Sequence, residues 1–244
     1  FIIVDDLLDN KDKQNFSNFI EKWIKEKIEL VLKSLIDLKN LKESNSSIKA
    51  LAYQLYENNG VLKRESVTDY LKKLGQDERK VLRELGVKFG RYHIFLYKLL
   101  KPEAVSLRIL LWKNFHQKSF NLKPPTFGLN FVEGENIQNK NFMLLCGFEN
   151  FDNYFVRIDI LERLFVQIIN SNPDKNKETK LVPEMLNLLG CNKQNFKKLI
   201  EKMNYKTFEK EDDFYFKYNP KKINKKNPKR IATSNSPFQV LKNL

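Results

Sequence analysis

Met185–Tyr218 reads MLNLLGCNKQNFKKLIEKMNYKTFEKEDDFYFKY, and this stretch decides the fold. Val182–Leu189 is a short apolar piece stopped by Gly190, and Lys193–Asn204 carries apolar residues at helical spacing. Lys206–Tyr218 reads as two short strands around Glu211-Asp212-Asp213. Upstream, Asp159–Asn170 places Ile160, Leu161, Leu164, Phe165 and Ile168 on one helical face. Three helices followed by a hairpin is the order of a winged helix, with Lys193–Asn204 in the recognition position. A regulator of that kind needs Lys193, Lys197, Lys198 and Lys202 on one outward face, and four-residue spacing aligns them in two pairs.

Working outward, Phe142–Phe148 and Tyr154–Ile158 are rich in strand-forming residues around a polar turn and predict another hairpin. Asn121–Asn141, with Pro124-Pro125, Gly128, Gly134 and several Asn, reads as a linker. The amino-terminal half is helical. One long amphipathic helix is expected over Asn15–Leu38, followed by Ile48–Asn58, Arg64–Leu74, Asp77–Leu85 and a helix from Pro102 to about His116. Tight turns at Asn59-Gly60, Gly75 and Gly86 suit a helix-turn-helix-like bundle. The expected class is therefore mainly α with minor β: a helical bundle, a winged-helix-like α+β unit and a disordered basic tail. Its divisions are the end of a preceding segment (1–14), a helical domain (15–120), a linker (121–141), a winged-helix-like unit (142–218) and the tail (219–244).

The 244 residues carry 44 Lys+Arg against 30 Asp+Glu, a net charge of +14 that favours a polyanionic partner. Only 8 of these cations are Arg, and 36 Lys accompany 27 Asn; both have AT-rich codons, so composition alone is a weak signal. Location is sharper. Eight cations and no acid lie beyond residue 216, and Arg79–Lys101 holds seven cations against Glu84 alone. Within it, Gly86–Pro102 (GVKFGRYHIFLYKLLKP) interleaves Phe89, Tyr92, Phe95 and Tyr97 with basic residues, and its glycines suggest a tight turn or a close approach of another group. Cations neutralise phosphates and aromatic faces stack unpaired bases. Lys88, Arg91 and Lys98 are accordingly the candidate phosphate contacts, with Lys101 in the same nucleic-acid-binding set; Tyr92 is a candidate stacking group, and His93 is read as a buried or stacking residue rather than a metal ligand. Lys193, Lys197, Lys198 and Lys202 form a secondary set. The competing expectation is that the aromatic residues are core and the lysines merely solvated around them.

The sequence has no GxxxxGK[ST], GxGxxG, HExxH or GxSxG, and Cys146 and Cys191 form no CxxC. No catalytic residue, metal ligand or cofactor is assigned, and no apolar run approaches the ~20 residues of a membrane span. The chain begins at Phe1 without a signal peptide and reads as the carboxy-terminal part of a longer, cytoplasmic protein.

LAYQLYENNGVLKR (51–64), LRELGVKFGRYHIFLYKLLKP (82–102), LRILLWKNF (107–115), VRIDILERL (156–164), MLNLLGCNKQNFKKLIEKMNY (185–205) and NSPFQVLKNL (235–244) occur in that order. Together they resemble the carboxy-terminal region of a group of proteobacterial superfamily II DNA/RNA helicases related to the mitochondrial degradosome helicase. The resemblance spans Ser34–Leu244. It implies a parent that unwinds nucleic acid with ATP and Mg²⁺, through motor domains whose ATP-binding loop, DExH box and arginine finger are all missing from this chain. The region itself would be non-catalytic, would guide DNA or RNA, single-stranded or unwinding, and would support the motor domains of its own parent. Two alternatives stand beside it: a structural docking module for a helicase or nuclease partner, and a free-standing winged-helix DNA-binding regulator.

Overall fold

The computed structural model describes residues 9–42, 46–116, 121–134, 139–172, 178–211 and 213–219. The basic tail, apart from Asn219, and residues 1–8 of the amino-terminal segment lie outside them.

Helices dominate and the strands form small antiparallel sheets, as the composition and periodicity lead one to expect. The architecture has a regularity that the sequence hides. Three successive stretches each supply a helix, a strand, further helical structure and two strands. The first is α3 (Ser46–Glu57), β1 (Val61–Lys63), α4 (Thr68–Lys73, entered through a 3₁₀ turn at Arg64–Val67), α5 (Gln76–Glu84), β2 (Val87–Phe89) and β3 (His93–Leu96). The second is α6 (Pro102–Phe115), β4 (Phe131–Glu133), α7 (Lys140–Leu145), β5 (Phe148–Phe151) and β6 (Tyr154–Arg157). The third is α8 (Ile158–Asn170), β7 (Thr179–Lys180), α9 (Pro183–Leu189), α10 (Lys193–Lys202), β8 (Tyr205–Lys210) and β9 (Asp213–Tyr218). In every sheet the last strand lies between the first and second: β1-β3-β2, β4-β6-β5 and β7-β9-β8.

The local chemistry repeats as well. In each unit one left-handed residue turns the last helix into the following strand: Gly86 (φ 92°), Gly147 (φ 89°) and Asn204 (φ 67°). Each donates its backbone N–H to the carbonyl three residues earlier, on Arg83, Leu144 and Glu201. Glycine and asparagine are the residues that tolerate this conformation.

Each unit has its own core. Leu51, Leu55, Leu82, Ile94, Leu96 and Leu99 fill the first, Val105, Ile109, Phe142, Met143 and Phe155 the second, and Leu161, Leu164, Met185, Phe196, Leu199 and Phe216 the third. A small cluster of Val61, Phe95 and Ile158 joins the units, so β3 is buried on both faces along its whole length. Arg108 of α6 adds a polar tie. Its guanidinium, 2% exposed, donates to the carbonyls of Asn59 (2.8 Å) and Leu99 (2.6 Å), and burial lowers its pKa to about 10.

Several expectations are corrected. The helix over Asn15–Leu38 is two helices, α1 (Asn10–Val31) and α2 (Lys33–Lys39), separated at Leu32. The break turns Leu35 and Leu38 into the first core, whereas α1 buries no residue fully. Phe142–Phe148 is not a strand: it holds most of α7 and only the first residue of β5, because its apolar residues are covered on more than one side and carry no period to read. The stretch 121–141, expected as a linker, contributes β4, which pairs with β6 in register Phe131↔Val156.

Candidate nucleic-acid interface

The ten candidate residues fall into separate environments. On α10, Asn192 caps the helix by accepting from the Asn195 N–H at 2.8 Å. Phe196, Leu199 and Ile200 are buried, which forces the intervening lysines outward. Lys193, Lys197, Lys198 and Lys202 are all exposed. They are not equivalent. Lys193 lies 5.8 Å from the Phe214 ring centre, and Lys202 is paired with Asp152 at the β5–β6 turn. Lys197 and Lys198 make no ion pair among the described residues.

In the first unit, Lys88 is exposed on edge strand β2 opposite Phe95, Lys98 is exposed on the 3₁₀ turn Tyr97–Leu100, and Lys101 is exposed just before α6. Arg91 sits at the β2–β3 turn with its guanidinium 5.7 Å from the Phe165 ring centre. Tyr92 is half-buried, meets Phe165 edge-on at 5.7 Å and shares a hydrogen bond with Tyr205; burial first and Tyr205 next push its pKa well up. His93 is 2% exposed, so the expected stacking role does not fit it: its ring has no open face to offer a base.

What surrounds His93 is a charged junction between all three units. Its Nε2 meets Oε2 of Glu149 on β5 at 2.7 Å, and Lys63 of β1 donates to the other Glu149 oxygen at 2.7 Å. On the opposite side, Glu162 of α8 accepts the backbone N–H groups of Arg91 (2.5 Å), Tyr92 (2.8 Å) and His93 (3.0 Å), and its carboxylate lies 3.9 Å from His93 Nδ1. Gly90 makes room for this. A Cβ there would stand 2.3 Å from Glu162 Cδ, so the close approach suggested by the glycine spacing occurs at this residue.

Two carboxylates flanking one imidazole favour the imidazolium. Burial opposes that charge, but the bond to Glu149 and the nearness of Glu162 outweigh it, and the His93 pKa rises. Glu149 and Glu162 move the other way: burial would raise them, but hydrogen bonds from His93 and Lys63 to Glu149, and the nearby His93 ring with three backbone amides for Glu162, hold them below the usual range. Cys146 and Cys191 are pushed up to about 12 and about 11 by burial, which leaves both as unreactive thiols.

A cleft of about 590 Å³ opens beside this junction. Arg91, Tyr92 and His93 border it; Lys88, Lys98, Lys101 and the α10 lysines do not. Sequence reasoning missed three other lining residues that matter chemically, Arg64, Tyr205 and Tyr218. The aromatic run Phe214–Phe216 followed by Lys217 and Tyr218 was the available signal for the last of these.

Comparison with protein-family models, with curated proteins and with solved structures finds no match for this chain.

Proposed function

We propose that this chain is a non-catalytic, nucleic-acid-engaging region of an ATP-dependent helicase, built as a tandem array of three winged-helix units. Its parentage rests on the sequence resemblance. ATP and Mg²⁺ belong in this reading to motor domains elsewhere in the parent, and the partners here are a DNA or RNA strand and that motor.

The observation that carries the binding is the lysine face of α10. A helix that follows a tight turn and precedes a two-stranded ribbon occupies the position from which winged helices contact DNA. Here its outer surface presents Lys197 and Lys198 without acidic partners among the described residues, flanked by Lys193. Such cations gain little from folding and are available to phosphates.

Fluorescence anisotropy with a labelled single strand and a labelled duplex tests the reading. The double variant Lys197→Glu/Lys198→Glu is expected to bind at least tenfold more weakly to either ligand while melting at the wild-type temperature. Unchanged affinity removes α10 from the interface.

A second reading is favoured by one specific feature. Phe16, Phe19, Trp23 and Leu30 of α1 are 51%, 68%, 56% and 72% exposed, an apolar row left open among the described residues beside the half-buried Ile24, Ile28 and Val31. Neighbouring exposed apolar residues mark interaction sites, which supports a reading in which the region also braces a neighbouring domain.

A further inference from the structure

The cleft at the three-unit junction joins two kinds of group that nucleic acids recognise. Its cations are Lys63, Arg64 and Arg91, and its most open apolar residues are Tyr218 and Ile169, 47% and 45% exposed. The charges are differently occupied. Lys63 is bound to Glu149, which is also bound by His93, so this acid and these two bases satisfy one another. Arg64 directs one guanidinium nitrogen to the Gly90 carbonyl at 2.8 Å, and Arg91 rests on the Phe165 ring. Neither guanidinium has an ion pair among the described residues. The remaining acid in the lining is Glu65.

Rigidity distinguishes this cleft from a surface groove. Glu162 fixes the β2–β3 turn that carries Arg91, Glu149 and His93 tie β5 to β3, and Tyr205 stands edge-on to Tyr218 with ring centres 5.2 Å apart. Fixed guanidiniums suit bidentate contacts to phosphate oxygens. An aromatic ring at the mouth takes up a base only when that base is unstacked. The volume falls in the range of sites for single small ligands, too small for stacked base pairs with their backbones.

We propose that this cleft holds one unpaired nucleotide of a bound strand, with its base against Tyr218 and its phosphate on Arg64 and Arg91. The proposal rests on the nucleic-acid reading above and assigns to α10 the sequence-independent hold and to the cleft the preference for single strands.

The test uses the full chain and a labelled single-stranded oligonucleotide beside a hairpin duplex. Tyr218→Ala is expected to lower single-strand affinity about tenfold, the order of one lost base–aromatic stack, and to leave duplex affinity and the salt dependence unchanged. Arg64→Gln is expected to weaken single-strand binding and to reduce the slope of log affinity against log salt by about one. Photocrosslinking of the wild-type chain to a 4-thiouridine-containing strand gives a readout that needs no variant to fold, with adducts expected on the peptide containing Tyr218. Wild-type single-strand affinity in both variants, with adducts confined to α10, overturns the cleft and leaves the proposed function standing. Binding of AMP or UMP alone as tightly as of the strand overturns it in favour of a mononucleotide pocket. No binding of any strand at 50 mM salt overturns both.

Discussion

Arg79–Lys101 and Lys193–Lys202 look alike as strings of basic residues, yet the structure uses their charge in different ways. In the first, Arg79 donates to the Leu71 carbonyl, Arg83 lies over Phe89, Arg91 over Phe165, and His93 is held between two carboxylates. In the second, burial of one helical face pushes four lysines into solvent, and Asp152 takes up only Lys202. A cluster of cations counted along the chain therefore measures two quantities at once. Some of the charge holds the units together, and some remains available to a partner. Stability and binding measurements separate them.

The sharpest way to break this contrast is Glu162→Ala. It leaves three backbone N–H groups of the β2–β3 turn without their acceptor, and a loss of about 3 kcal/mol is expected in chemical denaturation. A loss below about 0.5 kcal/mol, the size of an ordinary surface change, removes the junction's structural role. Gly90→Ala follows, with an expected loss of about 1–2 kcal/mol, because its Cβ would displace the same carboxylate. Combined with Glu162→Ala, it is expected to cost little more, and additive losses in this double-mutant cycle contradict the contact.

The pH dependence sharpens the contrast further. His93 has its pKa raised above 6.5 in the folded state, so its contribution is fully present below pH 6.5 and is lost as pH climbs through the raised value. Glu149 and Glu162 are depressed below 4.5; their contribution is present above pH 4.5 and is lost as pH falls through the folded values. Thermal melts are expected to peak between these limits, and His93→Gln is expected to flatten the alkaline side and to shrink the acid side by the part that His93 contributes to Glu149 and Glu162. An unchanged profile in that variant places the titration elsewhere. The smallest effect on stability belongs to Lys197→Glu/Lys198→Glu, within about 0.5 kcal/mol of wild type despite its expected loss of nucleic-acid affinity.

Helices with one buried face were legible in the sequence: α8, α9 and α10 lie within about one to two residues of the expected stretches, and the β8–β9 hairpin flanks the acidic stretch at 211–213. Elements without such a face were not. The break at Leu32 preserves the apolar spacing across it, α7 is apolar on several sides, and the three-residue β4 stands among turn-forming residues. The repeat leaves no sequence signature because its units share turn geometry rather than residues, with asparagine in the glycine position at 204. The candidate site was half legible. Gly90 marked a close approach, but the group that approaches comes from Glu162, 71 residues beyond Arg91, and Glu149 reaches His93 across 56 residues. Pairing over such distances leaves no local pattern, which is why the sequence leaves His93 either buried or stacking while the fold makes it a buried link between units.

The central claim is that the open cations of this chain engage the phosphates of an unpaired strand. Anisotropy titration of the intact chain with a labelled single-stranded oligonucleotide, repeated from 50 to 200 mM salt, tests it most directly. If about six phosphates are neutralised, affinity is predicted to fall roughly a thousandfold across that range; absence of binding at 50 mM, or binding indifferent to salt, would contradict it.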